Sequence, residues 1–170
     1  TVSRAWSVLQ ENGSLPGIPV ANDDGTLYGM LLPEDIAEYD MQTIYTPRLD
    51  RVPVFNLLSV LEGKLLGEAE DSVDLISGEV IIALPQSRES LLFSQTDSVV
   101  ICGHQPDLIR RALELTVNCL VLCQTELPEE LRNLETRTCI ISTPCDAYRA
   151  VRLIYHSSPI GRICRREKLV

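Results

Sequence analysis

The sequence has no apolar run near the roughly 18 to 20 uninterrupted residues that a membrane-crossing helix requires, although 45% of its 170 residues are hydrophobic. It has no His-x-x-x-His and no Cys-x-x-Cys pair, and its two histidines, His104 and His156, stand in different segments, so the spacing of a metal site is missing. Basic residues are few: 15 Lys and Arg against 24 Asp and Glu leave a net charge of −9, which repels a phosphate backbone. Neither nucleic acid nor a membrane is therefore an expected partner. Residues 1–11 lack a basic region followed by an apolar block, so no signal peptide is read, and an opening Thr1 in place of Met is what a piece of a longer chain would show.

The charge that is present is unevenly spread. Residues 1–50 carry two basic and eight acidic residues, residues 51–148 seven and fifteen, and residues 149–170 six and one, so three regions differ in kind. Six cysteines in a short chain could mean disulfides, but four of them lie in or at the ends of strand-like apolar runs. Cys102, Cys119, Cys123, Cys139, Cys145 and Cys164 are accordingly expected to be reduced and buried, as in a cytoplasmic protein.

Val2, Ala5, Trp6 and Leu9 recur at helical spacing before Asn12-Gly13, which predicts an amphipathic helix over 1–11 with Trp6 on its core stripe. Two short apolar runs, 18–20 and 27–32, flank Asn22-Asp23-Asp24-Gly25, a turn composition that predicts an antiparallel hairpin. Pro33-Glu34-Asp35 then opens a helix through about Tyr39, with Pro in the first turn and acids where the helix dipole favours them. From Pro53 the pattern changes. A Leu-rich helix ends at Gly63, and runs at 80–84, 99–102, 119–122 and 139–142, dense in Val, Ile, Leu and Cys without polar alternation, read as strands covered on both faces. Helix-sized segments lie between and after them at 87–92, 106–115, 128–134 and 146–156. Such alternation predicts an α/β fold: an α-β-β-α unit joined to a four-stranded parallel sheet flanked by helices.

Ligands of open parallel sheets sit at the carboxyl ends of the strands, here 84–87, 103–107, 124–126 and 143–146. None of these loops has a glycine-rich phosphate fingerprint, and Asp107 and Asp146 read as helix caps. Cys119 and Cys123 fall on one strand face about 13 Å apart, too far to share a zinc ion. A Cys145–His104 dyad is the one nucleophile-base pairing that the strand ends suggest, and it ranks below a capping role for these loops. Arg149 and Arg152 read as the outer face of the last helix, and Arg162, Arg165, Arg166 and Lys168 as the entry into a further segment.

Leu15-Pro16-Gly17-Ile18-Pro19-Val20, the Asp24-Gly25 turn and Gly29-Met30-Leu31-Leu32-Pro33-Glu34-Asp35 make residues 1–40, in a partial domain placed at 1–50, resemble a cystathionine-β-synthase-type (CBS) domain lacking its opening segment. The resemblance implies an adenine nucleotide in the cleft of a domain pair, with Ile18, Pro19, Pro33 and Asp35 as the contacting residues and Asp35 at the ribose-binding position. Leu32 stands where that family usually has Thr or Ser. Residues from about 52 to 159, in a domain placed at 51–157, resemble a DRTGG domain in the order of Leu61-Glu62-Gly63-Lys64-Leu65-Leu66, ICGHQPDLI, CLVLCQTELPEEL and IISTPCDAYRAVRLI, although Gly103-His104-Gln105-Pro106-Asp107, Cys123-Gln124-Thr125 and Cys145-Asp146-Ala147 replace the signature pentapeptide and tripeptides. Residues 158–170, from Ser158-Pro159-Ile160-Gly161-Arg162-Ile163, resemble the start of a second CBS domain.

This order of domains resembles the regulatory insert of family II, manganese-dependent inorganic pyrophosphatases. The resemblance implies a non-catalytic sensor, without catalytic or metal-ligating residues of its own, that binds AMP, ATP or a diadenosine polyphosphate, forms a homodimer in the cytoplasm and acts on a separate manganese-bearing catalytic domain. The alternative is a dimerisation or assembly scaffold whose nucleotide binding is degenerate or absent. An enzymatic reading ranks last, because no set of base, nucleophile and oxyanion donors can be named.

Overall fold

The computed structural model describes residues 1–13, 15–45, 48–66, 75–83, 97–133 and 136–164, without the side chains of residues 44 and 45. The chain opens with helix α1 (Val2–Glu11), capped by the Thr1 hydroxyl, which accepts from the Arg4 N–H at 3.2 Å. Strands β1 (Ile18–Ala21) and β2 (Leu27–Leu31) form the antiparallel hairpin, with Ile18 opposite Leu31 and Pro19 opposite Met30. The Asp24 carboxylate closes its turn by accepting from both the backbone N–H and the hydroxyl of Thr26. Helix α2 (Pro33–Tyr45) follows and runs six residues past the predicted end at Tyr39.

The second part is a six-stranded sheet of β3 (Arg48–Pro53), β4 (Lys64–Leu66), β5 (Leu75–Ile82), β6 (Ser98–Cys102), β7 (Cys119–Cys123) and β8 (Cys139–Thr143), in the order β3-β5-β6-β7-β8-β4. The four predicted strands are the inner ones, and they are parallel neighbours in chain order. The expectation of a four-stranded sheet is corrected by the two edges: β3 pairs antiparallel with β5, and β4 antiparallel with β8. Among the described residues, helices α3 (Val54–Leu61), α4 (Pro106–Glu114) and α5 (Ala147–His156) accompany this sheet. The predicted helix over 128–134 is reduced to one 3-10 turn, Glu129–Leu131, and the predicted helix over 87–92 lies outside the described residues.

Alternate residues of the inner strands divide between two cores, as two-residue periodicity demands. Val99, Ile101, Val121 and Ile141 face Leu57 and Leu61 of α3 and Ala150 and Ile154 of α5. Val100, Leu120, Leu122 and Ile140 face Ile109, Ala112 and Leu113 of α4. Every residue of β6 and β7 is buried, which explains why these strands read as unbroken apolar runs. Two glycines fit the sheet for different reasons. Gly78 of β5 holds φ at 140°, and a Cβ there would lie 3.0 Å from the backbone of Asp97 and Ser98. Gly63 follows α3, whose left-handed cap is Glu62, and a Cβ at Gly63 would meet Ile141 at 2.8 Å.

A third core belongs to the small unit. Val2, Ala5 and Leu9 of α1, Val20 and Leu31 of the hairpin and Ile36 of α2 pack with Cys164, and Ile160 and Ile163 lean on them. The chain therefore leaves this unit at β3 and comes back to it after α5, through the 3-10 turn Ile160–Arg162.

Candidate functional site

The head of α2 carries the acid singled out by the sequence. Pro33 sits in its first turn, and the Asp35 carboxylate accepts from the Leu32 N–H at 2.9 Å, a reach back to the cap position that satisfies one of the unpaired amides at the helix start. Asp35 is only 6% exposed. Leu32 contributes no hydroxyl, so the polar groups offered here are few. Ile18 is half-buried and Pro19 exposed on β1.

Beside this helix start lies an open groove of about 370 Å³ between α1 and α2, lined by Trp6, Pro33, Glu34, Ile36, Ala37 and Asp40. A smaller hollow of about 190 Å³ continues it along α1, past Leu9, Gln10, Gly13 and Leu15, again with Trp6 and Pro33 in its wall. Trp6 is 39% exposed, which corrects its expected place in the core: the α1 residues that fill the core are Val2, Ala5 and Leu9. Of the four residues predicted to contact nucleotide, Pro33 lines the groove, while Ile18, Pro19 and Asp35 do not. The sequence reading missed Trp6, Glu34 and Asp40 as groove residues. Asp40 was out of reach because α2 was expected to end before it, and Trp6 because helical spacing alone does not tell the edge of an apolar stripe from its centre.

At the sheet's carboxyl rim the chemistry is structural. The Thr143 hydroxyl donates to the Leu61 carbonyl at 2.6 Å and accepts from the Cys145 N–H at 3.1 Å, and the Cys145 thiol turns to the same carbonyl at 3.9 Å. His104 instead meets the Thr125 hydroxyl at 3.1 Å. Cys145 and His104 thus have separate partners, and the conceivable dyad is not formed. Asp146 caps α5 through the Arg149 N–H at 2.9 Å, as its position predicted, whereas α4 starts at Gln105 without a side-chain cap. Of the rim loops, 84–87 lies outside the described residues.

All six cysteines are free and buried. Burial, with Cys123 nearby, pushes the Cys102 thiol up to about 12, and burial, then Cys145 and Asp146, pushes Cys123 up to about 12. A hydrogen bond with Cys139, then burial, raises Cys119 well above its ordinary value. Thiols held protonated in this way are poor nucleophiles and poor metal ligands. Among the described residues no group of three or more His, Cys, Asp and Glu could hold a metal ion, and no helix is long and apolar enough to cross a membrane.

A cluster of polar contacts lies where the small unit meets α5. Asp40 meets His156 Nε2 at 2.7 Å; the Tyr39 hydroxyl donates to the Tyr155 carbonyl at 3.0 Å and lies 2.6 Å from the Ser158 hydroxyl. Asn56 of α3 donates to the Ser157 carbonyl at 2.9 Å, and the Val2 N–H to the Ser158 carbonyl at 3.1 Å. Burial raises the Tyr39 phenol, and burial, followed by Tyr39 and Glu79, pushes Tyr155 up to about 12, so both stay protonated. Further out, Arg162 pairs with Asp50 at 2.9 Å and the Tyr28 hydroxyl donates to the Gly161 carbonyl at 3.1 Å.

A mixed sheet, parallel in its four inner strands and with helices on both faces, grips a small α-β-β-α unit at one helix end and defines an α/β domain with an attached module. The chain belongs to the DRTGG domain family, which residues 56–157 match. It is 26% identical over 176 aligned residues to the cobalt-dependent inorganic pyrophosphatase of Clostridium perfringens (strain 13 / Type A), an alignment that takes in all of this chain and 32% of that protein. The chain thus spans about a third of the length of the curated relative it matches. Its fold is that of the CBS and DRTGG domains of the regulatory region of Clostridium perfringens pyrophosphatase, solved in complex with the activator diadenosine tetraphosphate: the TM-score is 0.82 at 24% identity, covering all of this chain and 75% of the solved one. The likeness to a CBS and DRTGG regulatory region read from the sequence, and the α/β class, are borne out by these comparisons; the metal in the relative's name is cobalt, where the resemblance implied manganese.

Proposed function

We propose that this chain is a regulatory, non-catalytic module of an inorganic pyrophosphatase, and that it senses adenine nucleotides through the CBS-like unit of residues 1–50. The observation that carries the reading is that the similarity to the Clostridium perfringens enzyme and to its regulatory region runs through the whole of this chain. In this reading residues 51–157 form the DRTGG-like domain and residues 158–170 begin a second CBS domain. AMP, ATP or a diadenosine polyphosphate is the regulator, and Ile18, Pro19, Pro33 and Asp35 are its nearest contacts. Diphosphate hydrolysis belongs to a separate domain using a divalent transition metal. The relative is named for cobalt, and manganese, which the resemblance implies, is the alternative metal. The module works in the cytoplasm as a homodimer. A nucleotide that binds two arrangements of the module unequally shifts their populations by its difference in affinity.

A second reading, an assembly scaffold with degenerate nucleotide binding, is favoured by one observation: Asp35 is engaged in capping its own helix, and the neighbouring groove presents Glu34 and Asp40, which repel phosphate. Calorimetric titration with AMP, ATP and diadenosine tetraphosphate separates the two. The sensor reading expects binding that Asp35→Asn weakens with only a small fall in Tm, since the Asn carbonyl can still accept from the Leu32 N–H and the loss of the charge costs about 0.3–1 kcal/mol of helix-dipole stabilisation. Absence of heat with all three ligands would leave the scaffold.

A further inference from the structure

One helix joins the two parts of the molecule in a way that the sequence did not announce. Helix α2 bears Pro33 and Asp35 in its first turn and Tyr39 and Asp40 one to two turns further on, about 7.5 Å along its axis from Asp35 to Asp40. Those two later residues hold the last turn of α5: Asp40 through His156, Tyr39 through the Tyr155 carbonyl and the Ser158 hydroxyl. Helix α5 in turn lies on the parallel sheet, with Ala150 and Ile154 in its core, and antiparallel to α3. Asn56 at the start of α3 reaches Ser157, and Leu61 at its end reaches Thr143 and Cys145. A continuous set of short polar contacts therefore runs from α2 to the end of α5, and from there through α3 to the carboxyl rim of β8.

Asp40 also borders the groove. Its side chain is 46% exposed and lines the groove beside Trp6 and Pro33, while His156 is 15% exposed and turned toward it. The carboxylate that meets His156 is thus also part of the groove wall.

We propose that Tyr39, Asp40 and His156 are positioning residues that couple nucleotide binding at the head of α2 to the sheet domain. The inference rests on the nucleotide-sensing reading and adds its route. Packed helices joined by such contacts shift between discrete arrangements instead of deforming continuously. Linkage is reciprocal: if nucleotide changes the free energy of this contact, breaking the contact changes nucleotide affinity by the same factor. A contact that merely holds the fold together, equal in both states, lowers stability and leaves affinity alone.

The test is titration of this chain with diadenosine tetraphosphate, AMP and ATP, with Tm recorded for each variant. His156→Ala and, independently, Tyr39→Phe are expected to change the Kd of the binding nucleotide by about fivefold or more. His156→Gln, whose amide can donate to Asp40 in place of the ring, is expected to bring the Kd back toward wild type. Tyr39→Phe removes only a hydroxyl, so it keeps the experiment informative should His156→Ala fail to fold. A lowered Tm with Kd unchanged in both variants, or a change that His156→Gln does not reverse, overturns the coupling while leaving the sensor reading intact. Failure of the wild-type chain to bind any of the three nucleotides overturns both.

Discussion

Thr143 is the polar pivot of the sheet's rim, and replacing it by Val isolates the contribution of its hydroxyl. Val nearly matches Thr in volume, so the substitution opens no cavity, and it suits a strand. What it removes is the 2.6 Å bond to the Leu61 carbonyl and the acceptor for the Cys145 N–H. The Leu61 carbonyl keeps the Cys145 thiol, a weak donor, at 3.9 Å. The Cys145 amide, in a residue that is itself buried, is left without its hydroxyl acceptor. A net loss of about 1 kcal/mol for the first bond and about 1–3 kcal/mol for the stranded amide gives about 2–4 kcal/mol in total. Thr143→Ser keeps the hydroxyl and deletes one buried methyl, a cost of about 1 kcal/mol. Equilibrium unfolding in urea should show the midpoint of Thr143→Val falling at constant m, with Thr143→Ser between it and wild type. A Thr143→Val protein within about 0.5 kcal/mol of wild type, or a Thr143→Ser protein less stable than Thr143→Val, would refute the assignment of this hydroxyl as the tie between α3, β8 and α5.

Gly78→Ala should destabilise by roughly 1–3 kcal/mol, because the position combines positive φ with backbone 3.0 Å from the new Cβ; thermal unfolding checks this, and a wild-type Tm would refute it. Stability should also fall as pH rises from about 9 toward 12. Cys102, Cys123 and Tyr155 all have native pKa values raised to about 12 from ordinary values of 9 to 10, so above pH 9 the unfolded chain gives up protons that the native chain retains. Urea midpoints measured across that window should decline steadily, and flat midpoints would contradict the burial of these groups.

The inner sheet was legible because β6, β7 and most of β8 are buried on both faces, which forces continuous apolar sequence. The edges were not. In β3 the sequence Arg48-Leu49-Asp50-Arg51-Val52-Pro53 has its two core residues three apart, with a register shift between Leu49 and Val52 and Arg51 at φ 45°, so the period of two is broken where a reader would look for it. β4 has three residues, too few for any period. The N-terminal half of β5 hides behind Ser77, Gly78 and Glu79. At the candidate site the helix start at Pro33 was visible from its composition, but the groove depends on how α1 and α2 lean together, and the grip of Asp40 on His156 joins residues 116 positions apart. No local pattern carries such a pairing.

The return of the chain to the small unit after α5 has a consequence for how the protein is made. Val2 and Cys164 share one core, so α1, the hairpin and α2 emerge first and must wait for the last described residues before that core is closed. Joining them across the intervening segment costs a free chain roughly 4 kcal/mol of loop entropy, from (3/2)RT ln n for about 110 residues. A folded sheet removes most of that cost, because its entry and exit already touch where Asn56 meets Ser157. The sheet domain is thus the clasp on which the N-terminal module assembles, and a substitution deep in β6 or β7 should slow the maturation of a unit it never touches.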